Sequence, residues 1–349
     1  MPQDLPSGFQ LSVRPLPHKP ALFVTSTRSI QSILAPIAQD MLEVDATIRR
    51  NLSSEVPLIN AISAYIISAG GKRLRPALLL LIARAHGYTG PHHHTLAAVV
   101  ELIHTATLLH DDVVDESALR RGRKTSNAAF GNAASVLAGD FLYSRAFQMM
   151  VTADNLRILQ ILADATNVIA EGEVLQLLNL HDPAVSVERY LKVIGYKTAA
   201  LFEASARIGA VLAGCGKELE DNAAAYGRTI GTAFQLIDDA LDYSGKQGEM
   251  GKNVGDDLRE GKPTLPLIIA MQRCPAPERK LIEEAIRSGQ SEEMPHILQI
   301  VDKTRALDIV YATAQAELTK ARGYVNELKP CPERAALIDL CAYSLDRSA

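Results

Sequence analysis

Tryptophan is absent from the 349 residues, and aromatic residues make up only 5%. The 47% of hydrophobic residues is therefore mostly Ala, Leu, Ile and Val, and Ala and Leu are strong helix formers. Cysteine is scarce: Cys215, Cys274, Cys331 and Cys341 lie far apart and form no CxxC pair. That excludes a disulfide scaffold and reads as reduced thiols in a cytoplasmic setting. A strong charge of either sign is missing too. The 36 Lys+Arg stand against 40 Asp+Glu, a formal charge of −4, whereas a general nucleic-acid binder needs a basic surplus. Long apolar runs are also lacking. The best, residues 77–83, is bounded by Arg73, Arg75 and Arg84, so no stable membrane insertion is expected. The ordinary balance of apolar and charged residues excludes collagen-like, coiled-coil and wholly disordered classes.

Residues 1–28 carry Pro2, Pro6, Pro15, Pro17 and Pro20 and no apolar period, the composition of a flexible tail. Arg14, Lys19 and Arg28 against the single Asp4 give it a weak likeness to an organelle transit peptide. The prolines oppose that reading, because such peptides need an amphipathic helix. From residue 29 onward apolar residues recur at i, i+3, i+4 and i+7, as in Leu96, Val99, Val100 and Ile103, or Ile158, Ile161, Leu162 and Ala165. No sustained two-residue alternation occurs, so no strands are expected. Breaks at residues 70–71, 87–91, 121–122, 182–183, 214–216, 245–255, 263–266, 274–277 and 330–332 divide the chain into helices. No linker separates two halves, so residues 29–349 read as one all-α domain, an antiparallel helical bundle.

Two acidic clusters interrupt this apolar pattern. Residues 102–116 read LIHTATLLHDDVVDE, and residues 234–243 read FQLIDDALDY. Asp111 and Asp115 are four residues apart, about 40° of rotation, and so share a helix face, with Asp112 about 100° round. Asp238, Asp239 and Asp242 repeat the spacing. Like charges at i, i+4 destabilise a helix by roughly a few tenths of a kcal/mol. A divalent cation removes that repulsion, and carboxylates with water suit Mg²⁺, which binds through carboxylates and substrate phosphates. One such cluster alone reads more simply as a solvated helix end; two together point to metal.

Cations flanked by glycine accompany the acids. GGKRLRP (residues 70–76) precedes the first cluster and RRGRK (residues 120–124) follows it, with Lys197-Thr198, Lys252 and Lys262 further on. Glycine lets a backbone approach an anion, Arg suits bidentate phosphate contact and Lys supplies a point charge. Acid clusters that bind Mg²⁺ and cations that bind phosphate call for one ligand, a diphosphate. His104 lies seven residues before Asp111 on the same face, and its residue context alone leaves a buried core histidine and a ligand both open. His110 adjoins Asp111 and is read as supporting it. His92, His93 and His94 follow Pro91 without helical or finger spacing and are expected in a solvated loop.

GGKRLRP, DDVVDESALRRG, YKTA, FQLIDDALDY and GKNVGDDLREGKPTLP, in this order, resemble the trans-type polyprenyl diphosphate synthases, most closely their long-chain octaprenyl and decaprenyl members. The likeness covers roughly residues 40–349; the Pro-rich tail is not part of it. It implies the isoprenoid-synthase helical fold and head-to-tail condensation of isopentenyl diphosphate onto an allylic diphosphate such as farnesyl diphosphate. It further implies a product of eight to ten isoprene units for a quinone side chain, Mg²⁺, three ions per site, and a homodimer, for which the Ala-rich residues 128–138 offer close helix packing. By this resemblance Asp111, Asp115 and Asp238 hold Mg²⁺, with Asp112, Asp239 and Asp242 as further ligands. Arg120, Lys197, Thr198, Gln235, Lys252 and Lys262 bind the allylic diphosphate, and Lys72, Arg75, His104 and Arg121 bind isopentenyl diphosphate. Asp111, Asp115, Asp238 and Lys197 then promote ionisation of the allylic C–O bond. In this family, bulky aromatics one turn before the first Asp stop elongation early. Ala106 and Thr107 stand there, and Asp111 back to Leu96 spans about 22 Å of helix. The floor of such a shaft is expected at Phe147 or Met150. A terpenoid cyclase, a head-to-head synthase and a non-catalytic partner subunit are the competing readings. The intact second Asp cluster and the GGKRLRP motif oppose the first two, and the full set of acids and cations opposes the third.

Overall fold

The computed structural model describes residues 28–68, 70–120, 122–244, 255–290 and 292–346. The expected tail, apart from Arg28, and the expected ligands Arg121 and Lys252 lie outside the described residues. Helix follows helix, as the periodicity requires. Leu74–Ala85 buries every residue from Pro76 to Ala83, so the most apolar stretch of the sequence is a helix surrounded on all sides. Ala200–Leu212 packs between it and the 26-residue helix Lys217–Asp242, which Ala306–Asn326 covers from another side. His93–Val114 packs on Leu74–Ala85, on Ala38–Asn51 and on Asn132–Val151. Among the described residues no helix is long and apolar enough to cross a membrane.

Missing side chains set the closest approaches. A Cβ on Gly227 would stand 2.4 Å from the Phe202 carbonyl oxygen, and one on Gly172 would stand 2.7 Å from the Lys197 amide nitrogen. The first contact seats Lys217–Asp242 on Ala200–Leu212. The second seats Leu156–Leu177 against Gly195–Ala199, a short π-helical turn between Val187–Ile194 and Ala200–Leu212. Capping follows the residues available. Asn155 accepts from the amides of Arg157 and Ile158, and Ser186 accepts from that of Arg189.

Two local expectations are corrected. A two-stranded antiparallel ribbon, Leu119–Arg120 with Arg123–Lys124, follows the first acid cluster. It is two residues per strand, too short for alternation to register, and Gly122 at φ 72° supplies the turn. The Ala-rich stretch 128–138 belongs to two helices, Ser126–Phe130 and Asn132–Val151, divided at Gly131, φ 89°. The histidines after Pro91 are not a solvated loop. His93 and His94 form the first turn of His93–Val114, and His93 is buried. Their Nε2 atoms lie 3.3 and 2.9 Å from Asp40 Oδ1, which also accepts from Arg84 at 2.6 Å. These three side chains could hold a cation, but the Arg84 guanidinium already lies against the same carboxylate oxygen, so the cluster reads as a latch. It ties Ala38–Asn51 to two central helices.

Candidate active site

Both acid clusters lie at the C-terminal ends of their helices. His93–Val114 ends in Asp111 and Asp112 with Asp115 as its cap, and Lys217–Asp242 ends in Asp238, Asp239 and Asp242. That is the negative end of the helix dipole, unfavourable for an anion by about 0.3–1 kcal/mol each. Cations from three other segments offset the first cluster. Arg120 donates to Asp112 Oδ1 at 2.9 and 2.7 Å. Lys197 Nζ lies 3.2 Å from Asp111 Oδ2, and Lys262 Nζ donates to Asp115 Oδ2 at 2.8 Å. Burial alone would lower the Lys262 ammonium pKa, but Asp115 and Glu260 outweigh it and hold it above the usual lysine range. The same balance, with Asp111 and Glu173 as the anions, raises that of Lys197.

The two triplets divide alike. Asp111, Asp115 and Asp238 are half-buried, whereas Asp112, Asp239 and Asp242 are buried. Asp239 accepts from the Tyr190 hydroxyl at 2.6 Å and from Gln235 Nε2 at 2.7 Å. Burial, followed by the nearby Asp257, pushes its carboxyl far above the usual range. Asp242 accepts from the backbone amides of Asp256 and Asp257 at 3.2 and 3.1 Å, anchoring the short helix Asp256–Arg259. Burial raises the Asp112 carboxyl too, opposed by Arg120.

The π-helical turn links the two acid helices. Thr198 Oγ1 donates to Gln235 Oε1 on the second at 2.9 Å, while Lys197 beside it reaches Asp111 on the first. Such π turns are rare and recur at functional sites. The structure thus gathers Asp111, Asp115, Lys197, Thr198, Gln235 and Lys262 in one network. Of the expected isopentenyl diphosphate ligands, Lys72 lies exposed with its ammonium 5.3 Å from the Tyr343 ring centroid. The Arg75 guanidinium lies 4.4 Å from the Phe202 centroid. Arg75 is half-buried, yet its Nε is shielded from water without a hydrogen-bond partner, and burial pulls its pKa down to about 10. His104 is half-buried, and its carbonyl accepts from Thr107 Oγ1 at 2.8 Å. His110 Nε2 lies 3.2 Å from the Val136 carbonyl oxygen and 3.3 Å from Asp140, joining the first acid helix to Asn132–Val151. Below Asp111, Ala106, Ile103, Val100 and Ala97 are fully buried. Met150 is buried as well, whereas Phe147 is 39% exposed on the outer face of its helix.

Sequence reading missed Glu173 and Tyr190. Glu173 accepts from Lys197 Nζ at 2.6 Å. Burial, then the charge of Asp111, pushes its carboxyl up to about 7 against the opposing pull of Lys197. Its signal was an acid directly after a glycine within an apolar helix. Tyr190 has no comparable mark.

Comparison with known proteins bears on the whole constellation. The family model described as polyprenyl synthetase matches residues 56–303. The octaprenyl diphosphate synthase of Escherichia coli strain K12 is 50% identical over 320 residues, covering 91% of this chain and 99% of that enzyme. A polyprenyl synthase from Caulobacter crescentus CB15, solved in complex with calcium and isoprenyl diphosphate, superposes with a TM-score of 0.89 at 43% identity, covering 93% of this chain and 99% of the other. A decaprenyl diphosphate synthase from Rhodobacter capsulatus gives 0.87 at 44% identity, covering 92% and 100%. Two acid clusters at helix ends, the first held by lysines from a π-helical turn and a loop, thus sit in a fold shared over nearly its whole length with these enzymes, and the chain belongs to the polyprenyl synthetase family as a long-chain, trans-type prenyltransferase.

Proposed function

We propose that this chain condenses isopentenyl diphosphate head-to-tail onto an allylic diphosphate, with farnesyl diphosphate as starter. The product is an all-trans polyprenyl diphosphate of about eight to ten units, the range of the octaprenyl and decaprenyl relatives. A ubiquinone side chain is its destination and the cytoplasm its location. The observation that carries this reading is the lysine bridging of the half-buried acids: Lys197 at Asp111 and Lys262 at Asp115. Positive charge from the chain itself lies against the carboxylates that a cation would neutralise.

The donor set fits Mg²⁺. Asp111, Asp115 and Asp238 offer half-buried carboxylate oxygens, the ligands this hard cation prefers, and we assign them the metal, three ions per site with substrate bound. Asp112, Asp239 and Asp242, engaged with Arg120, Tyr190, Gln235 and backbone amides, orient the others and contribute through water. When bound, the metal stabilises negative charge developing on the leaving diphosphate. Lys197, Thr198, Gln235, Lys262 and Arg120, with Lys252, bind the allylic diphosphate and stabilise the same charge from the protein side. Lys72, Arg75 and His104, with Arg121, hold isopentenyl diphosphate; the unpartnered Arg75 Nε supports an anion there. Apolar walls keep water from the carbocation.

Ala106 and Thr107 let the growing chain pass, and Met150 is the inner candidate for the floor. Exposed Leu137, Phe147 and Val151 on Asn132–Val151, with Leu156, Val174 and Leu177 on the next helix, support a homodimer formed through these helices. Incubating the purified chain with farnesyl diphosphate, isopentenyl diphosphate and Mg²⁺ and sizing the extracted lipid tests the function. Products of about C40–C50 are expected. Chelation is expected to abolish turnover, by at least about 100-fold, and to move the melting temperature little, because Lys197, Lys262 and Arg120 pair the first acid cluster without metal. A chain that makes no elongated product with metal present overturns the reading.

A further inference from the structure

Glu173 carries a geometry that the assignments above leave unused. Its Oε2 lies 2.6 Å from Lys197 Nζ, closer than the 3.2 Å between that ammonium and Asp111 Oδ2. The arrangement is built rather than incidental. Gly172, the residue before Glu173, leaves no room for a Cβ: the Lys197 amide nitrogen would lie 2.7 Å away and the Tyr196 Cβ 2.8 Å away. The π-helical turn Gly195–Ala199 and the helix Leu156–Leu177 are thereby pressed together at the point where carboxylate and ammonium meet. Lys197 and Glu173 are both largely shielded, with side-chain exposures of 19% and 30%.

We propose that Glu173 is a positioning residue that holds the Lys197 ammonium at the edge of the cleft between turnovers and competes with the diphosphate for it. The inference rests on the reading that Lys197 binds the allylic diphosphate. An ammonium has three donors, so Asp111 and Glu173 together hold it aimed into the site while no anion is bound. A diphosphate that arrives must draw Lys197 away from Glu173, and one that leaves is replaced by it. Glu173 thus weakens diphosphate binding and speeds release of the inorganic diphosphate formed at each addition. An enzyme that adds many units in succession must empty this subsite after every addition.

The expected sign separates this role from a structural one. A residue that merely props the site open weakens diphosphate binding when altered; a competitor for Lys197 strengthens it. Titration calorimetry with inorganic pyrophosphate and Mg²⁺ compares the full chain with Glu173→Gln, Lys197→Ala and the double variant. Glu173→Gln is expected to bind pyrophosphate roughly five-fold tighter, the scale of one partly exposed ion pair. In steady-state assays it is expected to show a lower KM for the allylic diphosphate together with a lower kcat. Lys197→Ala is expected to bind more weakly, and adding Glu173→Gln to it is expected to change nothing further. Glu173→Asp, one methylene shorter and still ionised, serves as a second variant with a tightening in the same direction. Unchanged or weaker binding by Glu173→Gln overturns the proposal. So does tightening that persists without Lys197, which would mark plain repulsion between Glu173 and the ligand. If the unaltered chain takes up no pyrophosphate with Mg²⁺, the functional reading falls and this inference with it.

Discussion

Neighbouring aspartates in each cluster have separate fates. Asp111 faces Lys197 from a half-buried position, while Asp112 is buried and gives its Oδ1 to Arg120. Asp111→Asn keeps the side-chain volume and removes the charge, so the fold is expected to persist while kcat falls about 10²–10³-fold, the scale of losing one preorganised electrostatic contact. Product formed per unit time at saturating substrates checks it, with circular dichroism confirming the fold. Asp40 is the structural counterpart. Burial alone would raise its carboxyl pKa, but hydrogen bonds from Arg84 and His94 outweigh that and bring it down to about 2. A depressed carboxyl stabilises the fold above its unfolded value near 3.8 and loses that contribution as pH falls toward 2. Asp40→Asn is therefore expected to lower stability by roughly 3 kcal/mol near neutral pH, since it leaves Arg84 without its anion. The gap in melting temperature from the unaltered chain should narrow below about pH 4. A gap constant down to pH 3 would show that the latch is held by packing rather than charge.

Helix ends and close approaches, more than helix interiors, position the site. The acid spacing was visible in the sequence because i, i+4 neighbours share a face whatever the tertiary context. That each cluster falls at a helix end was visible as well, from the breaks at residues 121–122 and 245–255 that follow them. Glycines mark the limit. Gly172 and Gly227 lie inside helical patterns that give them no mark, and only packing reveals that one touches Lys197 and the other Phe202. Gly172→Ala and Gly227→Ala are each expected to destabilise by about 1–3 kcal/mol through overpacking. They should differ in catalysis. Gly172→Ala displaces Lys197 and Glu173 and is expected to lower kcat/KM at least about tenfold, because small misplacements of binding groups are costly to rate. Gly227→Ala, which meets only helix backbone and Ala206, is expected to leave it within about two-fold. Thermal melts and steady-state kinetics on the pair check both halves.

On the scale of the whole molecule, the proposed path of the product runs along the acid helix His93–Val114, which packs on the central helix Leu74–Ala85. Ala106 is fully buried on His93–Val114, one turn and a little more before Asp111. Ala106→Phe is expected to shorten the longest product by several isoprene units at a comparable rate of first addition, read by sizing the lipid. Unchanged long products at normal yield would mean that the tail follows another face of this helix. The exposed apolar residues on Asn132–Val151 and Leu156–Leu177 form the other large-scale feature, and their segregation to adjacent helices cannot be read from either helix alone.

The amino-acid sequence by itself determined the helical class, the two acid triplets and the basic motifs, because periodicity and spacing act within one element and need no partner. Tertiary structure decided which carboxylates stay half-buried and which are buried against Arg120, Tyr190 and backbone amides. It also decided that His93 and His94 latch onto the buried Asp40 and that Glu173 shares Lys197 with Asp111. Each of these depends on segments tens of residues apart meeting within about 3 Å, a condition set by packing and invisible in any local pattern.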